Sequence, residues 1–85
     1  MRNETIRDLL GTEKELTAAE VRKLPVGARV IRHSLERSGE HKTLLMTVVQ
    51  EGRRKGLAYW DVRSCTAGIL EIAKETERMC YTKEK

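Results

Sequence analysis

The feature that most constrains this chain is the stretch from Lys42 to Val62, KTLLMTVVQ–EGRRKG–LAYWDV. Leu44, Leu45, Met46, Val48 and Val49 form one apolar run, and Leu57, Ala58, Tyr59, Trp60 and Val62 form a second. β-Branched and aromatic residues on either side of a glycine-bounded polar segment predict a β-hairpin. The polar and glycine segment EGRRKG between the runs suggests a longer or bulged loop rather than a two-residue turn. In the second strand, alternation groups Ala58, Trp60 and Val62 on one face and Tyr59, Asp61 and Arg63 on the other. With three aromatic residues in the chain (Tyr59, Trp60 and Tyr81), Trp60 is expected at the centre of the core and Tyr59 on the exposed face.

The 85 residues suit a single domain, 1–85, with a short helical segment over 1–24 and a β-structure over 26–82. Ile6, Leu9 and Leu10 at helical spacing, followed by Gly11, predict a first short helix. Thr17-Ala18-Ala19-Glu20 has the form of a capping box, with Leu16 and Val21 at the staple positions. Pro25 disfavours helical geometry at Leu24 and ends that helix near Arg22 or Lys23. Strands are expected at Ala28–His33, in the two arms of the hairpin, at Ile69–Ala73 and at Arg78–Thr82, the last two joined by a turn at Glu75–Glu77. The fold expected is mainly β with short N-terminal helices, closed as a small SH3-like five-stranded barrel, because closure removes sheet edges. The alternative is an open α+β sheet with a C-terminal helix at 69–79, where LEIAKETERM is rich in helix formers.

Charge is unevenly placed. Residues 1–21 hold three bases against five acids, whereas residues 22–63 hold ten bases against four acids, within a net charge of +4. The densest cationic run is Arg53-Arg54-Lys55, expected at the hairpin tip and aimed at phosphates or an acidic protein surface. Arg29, His33, Tyr59 and Arg63 are further candidate contacts, although alternation keeps Arg29 and His33 on the face opposite Arg32. No apolar run approaches the roughly 20 residues of a membrane span, and MRNETIRDLL has no apolar signal segment. A cytoplasmic location is the expectation.

Cys65 and Cys80 are the two cysteines, and their spacing to His33 and His41 matches no zinc pattern. Buried reduced thiols are expected. Ser34, Ser38, Ser64, His33, His41 and Asp61 lie in no recognised nucleophile, zinc or phosphate-loop motif. No catalytic residue, metal or cofactor is therefore assigned.

LTAAEVRKLPVGARVIRH followed by VVQEGRRKGLAYWDV resembles small uncharacterised open reading frames of bacterial phages and other mobile elements, over residues 16–63. The resemblance implies a short capped helix, an LPVG lead-in and an SH3-like barrel. It also implies an accessory protein that occupies a surface of a host protein or nucleoprotein complex, such as an inhibitor of a host defence system. Two other readings follow from the residues: a DNA- or RNA-binding module using the cationic tip, and a self-assembling subunit, so that either a monomer or a homodimer is open.

Overall fold

The computed structural model describes residues 6, 10 and 13–84. Its elements are β1 (Glu15–Leu16), α1 (Ala18–Lys23), β2 (Arg29–Leu35), β3 (His41–Glu51), β4 (Arg54–Asp61), β5 (Thr66–Glu71) and β6 (Met79–Lys83). The strands form one antiparallel sheet in the order β1-β6-β2-β3-β4-β5. The chain is thus mainly β, as the sequence suggests. The closed five-stranded barrel gives way to an open six-stranded sheet, in which β1 and β5 each have a single neighbour. The reason lies in residues 72–78. They carry the chain from β5 at one edge to β6 near the other, and with α1 they cover the face that a barrel would have wrapped around itself. The expected hairpin of the last two strands does not form, nor does a helix at 69–79.

α1 follows its sequence signals closely. Thr17 Oγ1 accepts from the Glu20 amide at 3.1 Å, and Glu20 Oε1 accepts from the Thr17 amide at 3.1 Å. The Thr17 backbone N–H first, and its side chain second, hold the Glu20 carboxylate below its ordinary pKa. At the other end Leu24 leaves the helix in extended geometry ahead of Pro25.

The hairpin register pairs Met46 with Tyr59, Val48 with Leu57 and Glu51 with Arg54. Directly opposed residues share a face. Met46, Val48 and Leu57 are fully buried and pack with Ala18, Val21 and Val30. The loop is shorter than expected. Gly52 and Arg53 alone join the strands, with Gly52 at φ 58°. A positive φ at the first central residue only is the type II′ pattern, which requires glycine there. Arg54 and Lys55 are strand residues.

The opposite, outer face is covered at its β2–β6 end. There Leu35 and Cys80 are buried with Ile6 and Leu10, both helical; Leu9 and Gly11 of the expected first helix lie outside the described residues. No described helix is long and apolar enough to cross a membrane.

Candidate binding site

The three adjacent cations separate once the strands are in place. Lys55 lies on the inner face with Leu57, and its Nζ donates to the carbonyls of Leu24, at 2.6 Å, and Arg22, at 3.0 Å. Its ammonium is committed to the open C-terminal end of α1, where helix carbonyls lack intrahelical partners. Arg54 lies on the outer face, 3.8 Å from Glu71, and both side chains are almost fully exposed. Arg53 sits in the turn, exposed. Arg22, not singled out from sequence, joins them from α1 and donates through Nη2 to the Ile72 carbonyl at 2.8 Å. Arg22, Arg53, Arg54 and Lys55, with Gln50 and Glu71, line a hollow of about 560 Å³ between the hairpin end and α1. The sequence signal for Arg22 was available in principle: it is the basic residue of the last turn of a capped helix.

The further candidates do not join this group. Arg29 is exposed on the outer face of β2, 3.8 Å from Glu84. Arg63 is exposed in the turn after β4, where its amide donates to Asp61 Oδ1. At roughly 3.3 Å per strand residue, β4 holds Arg54 and Arg63 at opposite ends of the sheet. His33 cannot serve as a surface contact, being only 3% exposed. Its Nδ1 is 2.9 Å from His41 Nε2, and its Nε2 is 2.8 Å from Thr82 Oγ1. Burial, aided by the His41 charge, lowers the His33 pKa below its ordinary value. Alternation places His33 on an outward strand face, and its burial there comes with β6, a strand remote in the chain that pairs Cys80 with His33 and bonds it through Thr82.

The two aromatic residues of β4 exchange their expected places. Tyr59 follows Leu57 onto the inner face, is half-buried, and lays its ring beside Gly68 across the ladder. Trp60 faces outward and is 56% exposed. Leu45 on β3 and Ile69 on β5 share that face and are 43% and 47% exposed. With Ala58 they make an apolar patch over β3–β4–β5, away from the buried cluster at the β2–β6 end. Alternation grouped Ala58 with Trp60 correctly; it did not say which group faces the core, because the Tyr59 face, though it carries Asp61 and Arg63, also carries Leu57.

The residue types suited to covalent chemistry are scattered. Cys80 is buried, as expected, but Cys65 is exposed in the turn after β4. The Ser64 and Thr66 hydroxyls lie 2.6 Å apart on the same turn. Among the described residues no three His, Cys, Asp or Glu side chains are grouped to hold a metal ion.

No protein-family model, curated protein or solved structure matches this chain.

Proposed function

We propose that this chain is a non-enzymatic protein-binding module that occupies a surface of another protein with the outer face of β3–β4–β5. One observation carries the reading: Trp60 is 56% exposed, beside Leu45 and Ile69 at 43% and 47%. Contiguous apolar patches on a soluble domain mark interaction surfaces. Tryptophan is among the side chains that most often dominate binding energy once desolvated by a partner. Arg54 borders the same face, and the net charge of +4 favours fast association with an acidic partner. The resemblance to small phage and mobile-element proteins supplies the class of partner, a host protein or nucleoprotein complex, and blocking a host defence system is a role that such occupancy would serve.

Direct nucleic-acid binding is the weaker reading. Affinity for a phosphate backbone grows with the number of cations that reach it. Here the exposed cations of the hairpin divide between the two ends of β4, Arg53 and Arg54 at one and Arg63 at the other, so they do not line one continuous track for a backbone.

The test compares wild type with Trp60→Ala and Leu45→Lys in crosslinking from host cells, with binding then repeated on the purified partner. Capture by wild type and loss with either variant supports the proposal. Trp60 is the single tryptophan, so its emission should also move to shorter wavelength on binding. A dilution-sensitive mass of twice 9.8 kDa would instead make the chain a self-assembling subunit. Salt-sensitive binding to short DNA or RNA, unaffected by Trp60→Ala, would replace the proposal with a nucleic-acid module.

A further inference from the structure

The hollow between the hairpin end and α1 has the charge and donor inventory of an anion site. Four cations, Arg22, Arg53, Arg54 and Lys55, stand on its wall against one carboxylate, Glu71. That carboxylate is 89% exposed and lies 3.8 Å from Arg54, which also faces Glu51 across the ladder, so among the described lining residues cations outnumber carboxylates.

Two of the cations are fixed in place without losing their charge. Lys55 gives two of its three N–H groups to the Arg22 and Leu24 carbonyls and keeps one. Arg22 gives one of its five N–H groups to the Ile72 carbonyl, leaving four. Gln50 gives one amide N–H to the Gly52 carbonyl and retains the second. The anchors come from three separate segments: the end of α1, the Gly52 turn and the start of the crossing at Ile72. Side chains held in this way lose little further freedom when a ligand arrives. Arg53 and Arg54, at the turn and the first position of β4, carry guanidinium forks whose planar geometry matches phosphate oxygens. The volume of about 560 Å³ falls within the range of small-ligand sites.

We propose that this hollow binds an oligophosphate anion, with Arg22 and Lys55 as its fixed cations and Arg53 and Arg54 reaching it from the hairpin turn. A single carboxylate or chloride would leave most of these donors unused, whereas linked phosphoryl groups present acceptor oxygens to several at once. The site shares Arg54 with the rim of the Trp60 face but none of that face's apolar residues, and neither proposal depends on the other.

The experiment is an amide and arginine side-chain NMR titration of the intact chain with tripolyphosphate, run beside calorimetry at two salt concentrations. Expected are saturable 1:1 binding, shifts centred on Gly52, Arg53, Arg54 and the Arg22 guanidinium, and weaker affinity at higher salt. Arg53→Ala/Arg54→Ala should weaken binding about tenfold or more, while Arg63→Ala, at the other end of β4, and Leu45→Lys should not. Equal affinity for tripolyphosphate and a nucleoside triphosphate identifies the free anion as the ligand, and tighter nucleotide binding identifies the nucleotide. The proposal is overturned by shifts that stay linear without saturation, by shifts spread equally over Arg29, Arg37 and Arg63, or by a short oligonucleotide that binds more tightly per phosphate than tripolyphosphate.

Discussion

Lys55 Nζ lies 2.6 Å from the carbonyl oxygen of Leu24, so a strand of the central hairpin closes the end of the only helix between β1 and β2. The contact joins segments 31 residues apart and ties α1 to the sheet by a charge-assisted bond. Lys55→Met keeps the stem and removes the ammonium, leaving the Leu24 and Arg22 carbonyls without that donor. A loss of about 2 kcal/mol is expected from such charged hydrogen bonds. Its neighbour offers the contrast: Arg54→Ala should cost less than about 0.5 kcal/mol, because an exposed pair at 3.8 Å contributes little. Urea denaturation of the two variants checks both values, and equal losses would refute the division of the cationic triad.

Gly56 is required by a neighbour rather than by its dihedral angles. A Cβ built there would lie 2.8 Å from Ile69 Cγ2 and 3.3 Å from the Leu70 carbonyl oxygen. Overpacking of this kind costs about 1–3 kcal/mol, against about 0.5–1 kcal/mol gained by removing a glycine from a strand. Gly56→Ala should therefore destabilise by about 1 kcal/mol net. Ile69→Ala should abolish the penalty, so a double-mutant cycle should give a coupling of about 0.5 kcal/mol or more. An additive pair would show that Glu51 Oε1, at 3.0 Å from the built Cβ, or the Leu70 carbonyl, and not the Ile69 side chain, sets the limit.

How legible such features are depends on how local their causes are. The Thr17–Glu20 capping box and the stop at Pro25 are written in nine consecutive residues, and α1 runs as they specify. The hairpin itself is likewise a property of two adjacent apolar runs, but its Val48–Leu57 register follows from the two-residue Gly52–Arg53 turn, where the sequence suggests a longer loop. The exposure of Trp60 is not local. It depends on which face of the sheet receives α1 and the 72–78 crossing, and both faces of β4 carry apolar side chains. His33 shows the same limit, since its burial comes with its pairing beside Cys80 and its bond to Thr82 of β6, more than forty residues away. The commitment of Lys55 and the convergence of Arg22 on the hairpin end likewise follow from the tertiary fold, while Arg53 and Arg54 at the tip were readable from their position between two strands.

Cys65 occupies the left-handed region, with φ 53°, in the exposed turn between β4 and β5. A side chain with a Cβ is disfavoured there by about 1–2 kcal/mol. Cys65→Gly removes that strain and gives up the weak contact from Sγ to the Val62 carbonyl at 3.7 Å. Glycine adds about 0.4–1 kcal/mol of unfolded-state entropy, so a net gain of about 0.5 kcal/mol is expected. Thermal unfolding of the variant beside Cys65→Ala, which keeps the strain, isolates the backbone effect. No difference between the two would mean that the turn relaxes in solution.

The His33–His41 contact makes the stability of the fold sensitive to acid. A 2.9 Å approach of two imidazole nitrogens is a hydrogen bond only while one of them lacks a proton. Burial is the main reason that His33 holds its proton less tightly than in the unfolded chain, with the His41 charge adding to it and Glu13 opposing it. A group whose folded pKa is depressed binds fewer protons in the native state, so stability rises with pH across the interval between the two values. The contribution of His33 is fully present above its unfolded value of about 6.5 and is lost as pH falls through the lower, folded value. Urea midpoints should therefore fall on going from neutral pH to about pH 5. His41→Gln removes the neighbouring charge, moves the His33 pKa back towards its ordinary value and should flatten the decline. A midpoint that is constant across this range in wild type, or a decline that steepens in His41→Gln, would show that His33 is not the group responsible.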